Sequence, residues 1–225
     1  MHLSSLSWQS LFLHHSFKLS DQSVNFFDFQ PKALQALNLF KSQEMGSLLV
    51  MKSEVLPEFL DELSVQLSQD NSQPVIVRTE FKASHLFGYT LFLEKENRIE
   101  TIKGAIQQAQ NGILVLRLNT LLHDLKQWDK LKQALLFGFY EQNAVNHVPE
   151  VLPAIQSPFK LLLVGSREDI SMLAAYDGDL YQFAQYTEID SFLNVDEESL
   201  NQWGDYVQAY AQKFVQRRFT LKALN

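Results

Sequence analysis

Apolar positions along this chain fall into short unbroken runs separated by stretches in which they recur every three or four residues, the pattern of buried strands alternating with helices in an α/β domain. The clearest run is Ile113-Leu114-Val115-Leu116-Arg117-Leu118, polar only near its far end, so a strand here must be covered on both faces. A helix predicted from Thr101 leads to it through a tight Asn111-Gly112 break. A second helix starts near Leu121 and runs to Gly138, with Leu122, Leu125, Trp128, Leu131 and Leu135 on one stripe.

Similar runs predict strands over 47–51, 75–79 and 159–165, and a last strand over 187–192. Pro31 opens a helix whose Ala33, Leu34, Leu37 and Phe40 share a face, and Pro57 opens another over 57–67. Ser166 to Asp169 cap a helix near 170–175, and Asp196-Glu197-Glu198 begin one that turns Leu200, Trp203, Tyr206 and Tyr210 inward. Leu91 to Leu93 and Arg98 to Glu100 form a hairpin across the Glu94 to Asn97 turn, and the tract 140–157, with Pro149 and Pro153, is a surface loop. Residues 1–29 keep no period and are rich in aromatics. The organisation expected is an irregular N-terminal arm (1–29), an α/β domain (30–195) and the start of a helical lid (196–225).

Composition narrows the function classes. The chain has 225 residues, 46% of them hydrophobic, enough for a sizeable core. A net charge of -7 with scattered basic residues argues against nucleic acid as a partner. With no cysteine there is no disulfide, thiolate metal site or cysteine nucleophile. No apolar run approaches the ~20 residues of a membrane helix, and the first ten residues do not resemble a secretory signal, so a cytoplasmic protein without a membrane partner is expected.

The central stretch also carries a resemblance. Gly104-Ala105, the run Ala109-Gln110-Asn111-Gly112-Ile113-Leu114-Val115-Leu116, Leu121-Leu122 and Trp128-Asp129-Lys130-Leu131-Lys132 resemble the Walker-B region of the AAA+ module in Lon-family ATP-dependent proteases. The match is to a divergent gamma-proteobacterial branch with the pattern G-x-x-H-x-A-N-G-G-x-L-I-L, then L-L, then W-x-x-L-K. His85-Leu86-Phe87-Gly88-Tyr89 is similar to the L-F-G element of that family, and Asp177-Gly178-Asp179-Leu180 to the D-x-x-L segment before its arginine finger. The resemblance implies a P-loop NTPase or AAA+-like parallel sheet flanked by helices, with an incomplete helical lid. The family's Ser-Lys peptidase dyad lies in a separate domain, so no catalytic residue is carried over.

The nucleotide machinery departs from the family pattern. A phosphate cradle needs glycines in the loop after the first strand, as in G-x-x-x-x-G-K-S/T, whereas Lys52-Ser53-Glu54-Val55-Leu56 has none. The central strand ends Arg117-Leu118-Asn119 without a carboxylate for Mg²⁺, and residues 180–183 contain no arginine. Residues expected at the remnant site are Lys52, Ser53, Asn119 and, as a γ-phosphate sensor or a helix cap, Ser166. Phe87, Tyr89 and Phe92 are the candidates for gripping a substrate chain in a pore. No cofactor or metal is expected, although binding of ATP with Mg²⁺ without hydrolysis stays open. His14-His15, His85, His123 and His147 show no ligand spacing. Two functions follow: a degenerate AAA+-like module serving substrate recognition, assembly or regulation of proteolysis, or a stand-alone interaction module on the same fold. Partners would be protein substrates or further copies of the chain.

Overall fold

The structure is a computed structural model and describes residues 24–69, 73–80, 82–191, 196 and 198–210. The chain divides into two compact units. One is Gln30–Ile189, and the described residues before and after it belong to the other. The aromatics of the first residues, His14-His15 and the expected strand end at Phe192 lie outside the described residues, as does the part of the expected lid beyond residue 210.

Within Gln30–Ile189 the elements run α1 (Pro31–Ser42), β1 (Leu48–Lys52), α2 (Pro57–Ser68), β2 (Val75–Arg78), α3 (Ala83–Phe87), β3 (Tyr89–Leu93), β4 (Arg98–Ile102), α4 (Ala105–Gln108) and β5 (Ile113–Arg117). They continue with α5 (Leu118–Leu121), α6 (Lys126–Phe137), β6 (Phe139–Tyr140), β7 (Ile155–Gln156), β8 (Lys160–Gly165), α7 (Arg167–Tyr176), α8 (Leu180–Phe183) and β9 (Ala184–Glu188). Five strands form one sheet in the order β2-β5-β8-β1-β9, with every pair parallel. The expected α/β class and parallel sheet are therefore found.

Side-chain alternation explains why the three central strands, β5, β8 and β1, are apolar on both faces. Leu48, Val50, Leu114, Leu116, Leu161 and Leu163 pack on one face with Trp128, Leu131, Leu135, Ile170 and Leu173. Leu49, Met51, Ile113, Val115, Leu162 and Val164 are equally buried on the other. On that second face the Lys160 ammonium reaches α1, donating to the carbonyls of Lys41 at 2.6 Å and Phe40 at 3.4 Å. Its positive charge complements the carbonyl end of α1, where Phe40 O also accepts from the capping Gln43 N–H at 3.2 Å. Burial holds the Lys160 amine below its ordinary pKa.

Three boundaries differ from the sequence reading. The helix predicted from Thr101 begins only at Ala105, because Thr101 and Ile102 belong to β4, opposite Thr90 and Tyr89. β-branched side chains there suit a hairpin better than a helix. The helix expected from Leu121 is broken into α5, a 3-10 turn over Leu122–Asp124 and α6, which ends as expected at a left-handed Gly138 with φ 71°. The last strand lies earlier than 187–192, at Ala184–Glu188.

The β3–β4 hairpin is closed at its base by two glycines. A Cβ on Gly88 would lie 2.4 Å from the Ile102 carbonyl, and one on Gly104 would lie 2.2 Å from the Gly88 nitrogen. Its free flank is held by the surface loop. Thr90 N–H donates to Asn143 O at 2.8 Å and Val145 N–H to Thr90 O at 2.9 Å, while the Asn146 amide both accepts from and donates to the Phe92 backbone at 2.8 Å.

In the other unit, Phe26–Phe29 form a 3-10 turn and residues 198–210 are helical. Phe29 packs edge-on against Trp203 at 5.5 Å, and Trp203 stacks on Tyr206 at 5.3 Å. Among the described residues no helix is long and apolar enough to cross a membrane.

Candidate functional site

In an open parallel sheet, ligands bind beyond the carboxyl ends of the strands where successive connections diverge. Here the chain leaves β1 for β2 at one edge of the sheet, and leaves β8 for β9 at the other, so the divergence falls at the ends of β1 and β8. Lys52, Ser53 and Ser166 are brought together on these neighbouring ends, and Asn119 follows the end of β5 beside them.

Lys52 is the last residue of β1, in register with Gly165 of β8 and Glu188 of β9. Its ammonium donates to Glu188 Oε2 at 3.1 Å. The backbone is held on both sides: Ile189 N–H donates to Lys52 O at 2.9 Å and Ser53 N–H to Gly165 O at 3.0 Å. What remains between β1 and α2 is the four-residue linker 53–56. Leu56 N–H turns back to Glu54 O at 3.2 Å, and the Ser53 hydroxyl donates to Glu54 O at 3.1 Å. No residue of the linker has a positive φ, so it lacks the alternating backbone that gathers N–H groups into an anion nest.

The adjoining strand ends are filled by packing. A Cβ on Gly165 would come within 2.9 Å of Leu118 Cβ and 3.2 Å of Asp169 Cβ. Ser166 Oγ accepts from Asp169 N–H, and Asp169 Oδ2 accepts from Ser166 N–H, each at 3.1 Å. This reciprocal cap uses the serine oxygen that the sensor reading would have directed at a phosphate. The turn from β5 into α5 is immediate. Arg117 occupies the strand end, its carbonyl accepting from Thr120 Oγ1 at 2.7 Å, and Asn119 stands exposed on α5. Arg117 Nε is buried with no hydrogen-bond partner among the described residues.

The pore candidates separate. Phe87 is 1% exposed, edge-on to Tyr140 at 5.6 Å and under the Lys130 ammonium at 4.7 Å. Its ring belongs to the core and cannot meet a passing chain. Burial pushes the Tyr140 phenol above its ordinary pKa, and its hydroxyl donates to Phe87 O at 2.9 Å. Tyr89 and Phe92 are half-buried on β3.

A polar cluster that the sequence reading missed lies beneath α6. Asp177 Oδ2 accepts from Trp128 Nε1 at 2.8 Å, and Lys132 donates to both Asp177 oxygens at 2.9 and 2.7 Å. Burial raises the Asp177 pKa, but the hydrogen bonds from Lys132 and Trp128 and the charge of Lys132 outweigh it and leave the carboxyl below its usual value. The signal was present: Trp128 and Lys132 are one helical turn apart and so share a face. Among the described residues no group of three His, Asp or Glu could hold a metal ion, and His85, His123 and His147 are all exposed.

The family described as LonB-like, AAA domain, matches residues 71–187. A Lon protease homolog of Haemophilus influenzae is 28% identical over 257 aligned positions, covering 93% of this chain and 42% of that protein. A Lon protease homolog of Escherichia coli is 30% identical over 138 positions, covering 59% of this chain and 23% of that protein. The chain thus spans less than half the length of either relative. The crystal structure of NtrX from Brucella abortus aligns with a TM-score of 0.51 at 12% identity, over 70% of this chain and 36% of that one, a likeness of fold alone.

Proposed function

This chain belongs to the LonB-like AAA domain family, and from that premise we propose that it is a module of a Lon-related protein in which the nucleotide-hydrolysing apparatus has become fixed structure. It would serve substrate recognition, assembly or regulation of proteolysis. The observation that carries this reading is the placement of Lys52. Phosphoryl transfer depends on positioning and charge neutralisation around the phosphates. A cradle lysine must stand beyond a glycine-rich loop, at the start of the helix, to reach β- and γ-phosphates. Lys52 stands before the linker, inside the strand, and is paired with Glu188.

Neighbouring strand ends support the same reading. Arg117 brings positive charge where a Mg²⁺-holding carboxylate is required, and the hydroxyl of Ser166 is engaged in its cap. Purified chain incubated with Mg²⁺ and ATP is expected to release phosphate at the rate of buffer alone. Turnover above that background, lost in Lys52→Ala, would overturn the proposal.

A further inference from the structure

β5 lies between β2 and β8, and its last residue, Arg117, is its only charged one. Leu114 and Leu116 face the α6 side of the sheet, so alternation turns Ile113, Val115 and Arg117 to the other face. The Arg117 side chain is half-buried there. Among the described residues it makes no hydrogen bond and no ion pair. Glu54, which follows β1, and Glu80, which follows β2, are exposed and do not pair with it. Nε is shut off from solvent without an acceptor, while the two Nη nitrogens, equally unpaired, stay open to it.

A guanidinium cannot shed its charge to escape such a place. Leaving the charge and its donors unmet in a half-buried position is costly, and an oxyanion that takes the fork of N–H groups removes the cost. A second free donor stands beside it. β2 and β5 keep register as far as Arg78 and Leu116, so Thr79 leaves β2 where Arg117 ends β5. Thr79 shares the α2 side of β2 with Val75 and Val77, whose partners on β5 are Ile113 and Val115, on the Arg117 face. The exposed Thr79 hydroxyl makes no hydrogen bond among the described residues. Both groups lie at the carboxyl ends of parallel strands, where open α/β sheets bind their ligands.

We infer that Arg117 and Thr79 form a site for one tetrahedral oxyanion, a phosphate or sulfate group, held end-on by the two Nη groups with the Thr79 hydroxyl as a third donor. The site is separate from Lys52, which alternates with Met51 and so lies on the opposite face, paired with Glu188. Because the linker 53–56 gathers no N–H groups, it takes a single group and not a chain of phosphates. This goes beyond the proposed function and needs neither Mg²⁺ nor ATP.

Thermal unfolding of the full 225-residue chain, followed by circular dichroism while sodium phosphate replaces sodium chloride at constant ionic strength, tests it. Half-saturation is expected at about 5 mM, with a midpoint raised by about 3–5 °C at about 50 mM, the shift that a roughly tenfold change in the folding equilibrium gives a chain of this length. Sulfate should act as phosphate does. Arg117→Met should abolish the saturable rise, and Arg117→Lys, a point charge without the fork, and Thr79→Val should each raise the half-saturating concentration at least about threefold. An equal rise in the parent chain and Arg117→Met would show general exclusion of these salts from the surface and overturn the inference, as would no saturable rise by about 50 mM. Should Arg117→Met not fold, half-saturation unchanged in both Arg117→Lys and Thr79→Val overturns it. Lys52→Ala should respond as the parent chain does. A rise lost in Lys52→Ala and kept in Arg117→Met would overturn this inference and the proposed function together, whereas no rise in the parent chain leaves the proposed function standing.

Discussion

Trp128 donates its indole N–H to Asp177 across 2.8 Å, joining two segments forty-nine residues apart, and Lys132 closes the same carboxylate from the next turn of α6. Trp128 and Asp177 belong to two sequence patterns that carry the family resemblance, W-x-x-L-K and D-x-x-L. Folding makes those patterns one contact that fastens α6 to the end of α7.

Removing that acceptor leaves a buried indole N–H and a largely buried ammonium without a partner. Asp177→Ala should therefore lower stability by about 3 kcal/mol, read as a reduced urea midpoint. Asp177→Asn, which keeps an oxygen acceptor, should lose less.

The same carboxylate sets an acid dependence. Its folded pKa lies below its unfolded value, so the unfolded chain binds more protons between the two and stability rises with pH in that window. The contribution is complete above the ordinary aspartate pKa and disappears as pH falls through the lowered one. The stability gap between the parent chain and Asp177→Asn should shrink as urea titrations are moved from about pH 5 to about pH 2.

Lys160 is the alkaline counterpart. With a folded pKa below the unfolded value, the unfolded chain again holds more protons, and stability from this group increases as pH rises through the lowered pKa toward the ordinary one. Lys160→Met leaves the carbonyls of Phe40 and Lys41 without this donor and should cost about 1–3 kcal/mol. The deficit relative to the parent chain should widen between about pH 8 and pH 10 in chemical denaturation.

Strand content was legible because a doubly covered strand must be apolar at every position, as Ile113 to Leu116 are. Helix starts at Pro31 and Pro57 and the stop at Gly138 were legible because proline and glycine act on the local backbone. The end of β1 was not: Lys52 continues the strand through ladder bonds to residues more than a hundred positions away, which no local pattern shows. Thr101 was misread for a similar reason, its strand being fixed by Thr90 across the hairpin. The apolar letters around Phe87 could not distinguish a surface aromatic from the buried ring found there.

The hairpin base should tolerate no side chain. Gly88 has φ 72° and Gly104 lies against its backbone, so Gly88→Ala and Gly104→Ala should each cost about 2 kcal/mol or more. Thermal unfolding measures the loss, and hydrogen exchange at the Thr90 amide should accelerate in the same variants.

Asn146 gives a more local outcome. Its amide makes both bonds to the Phe92 backbone from an exposed loop position. Asn146→Ala should speed exchange of the Phe92 amide severalfold while lowering global stability by less than about 1 kcal/mol.

In the proposed function Lys52 holds Glu188 and not a phosphate. Titrating the parent chain and Lys52→Ala with a fluorescent ATP analogue and Mg²⁺ tests it directly. The account predicts no saturable signal up to about 1 mM and superimposable curves for the two proteins. Saturable binding by the parent chain that Lys52→Ala abolishes would contradict it.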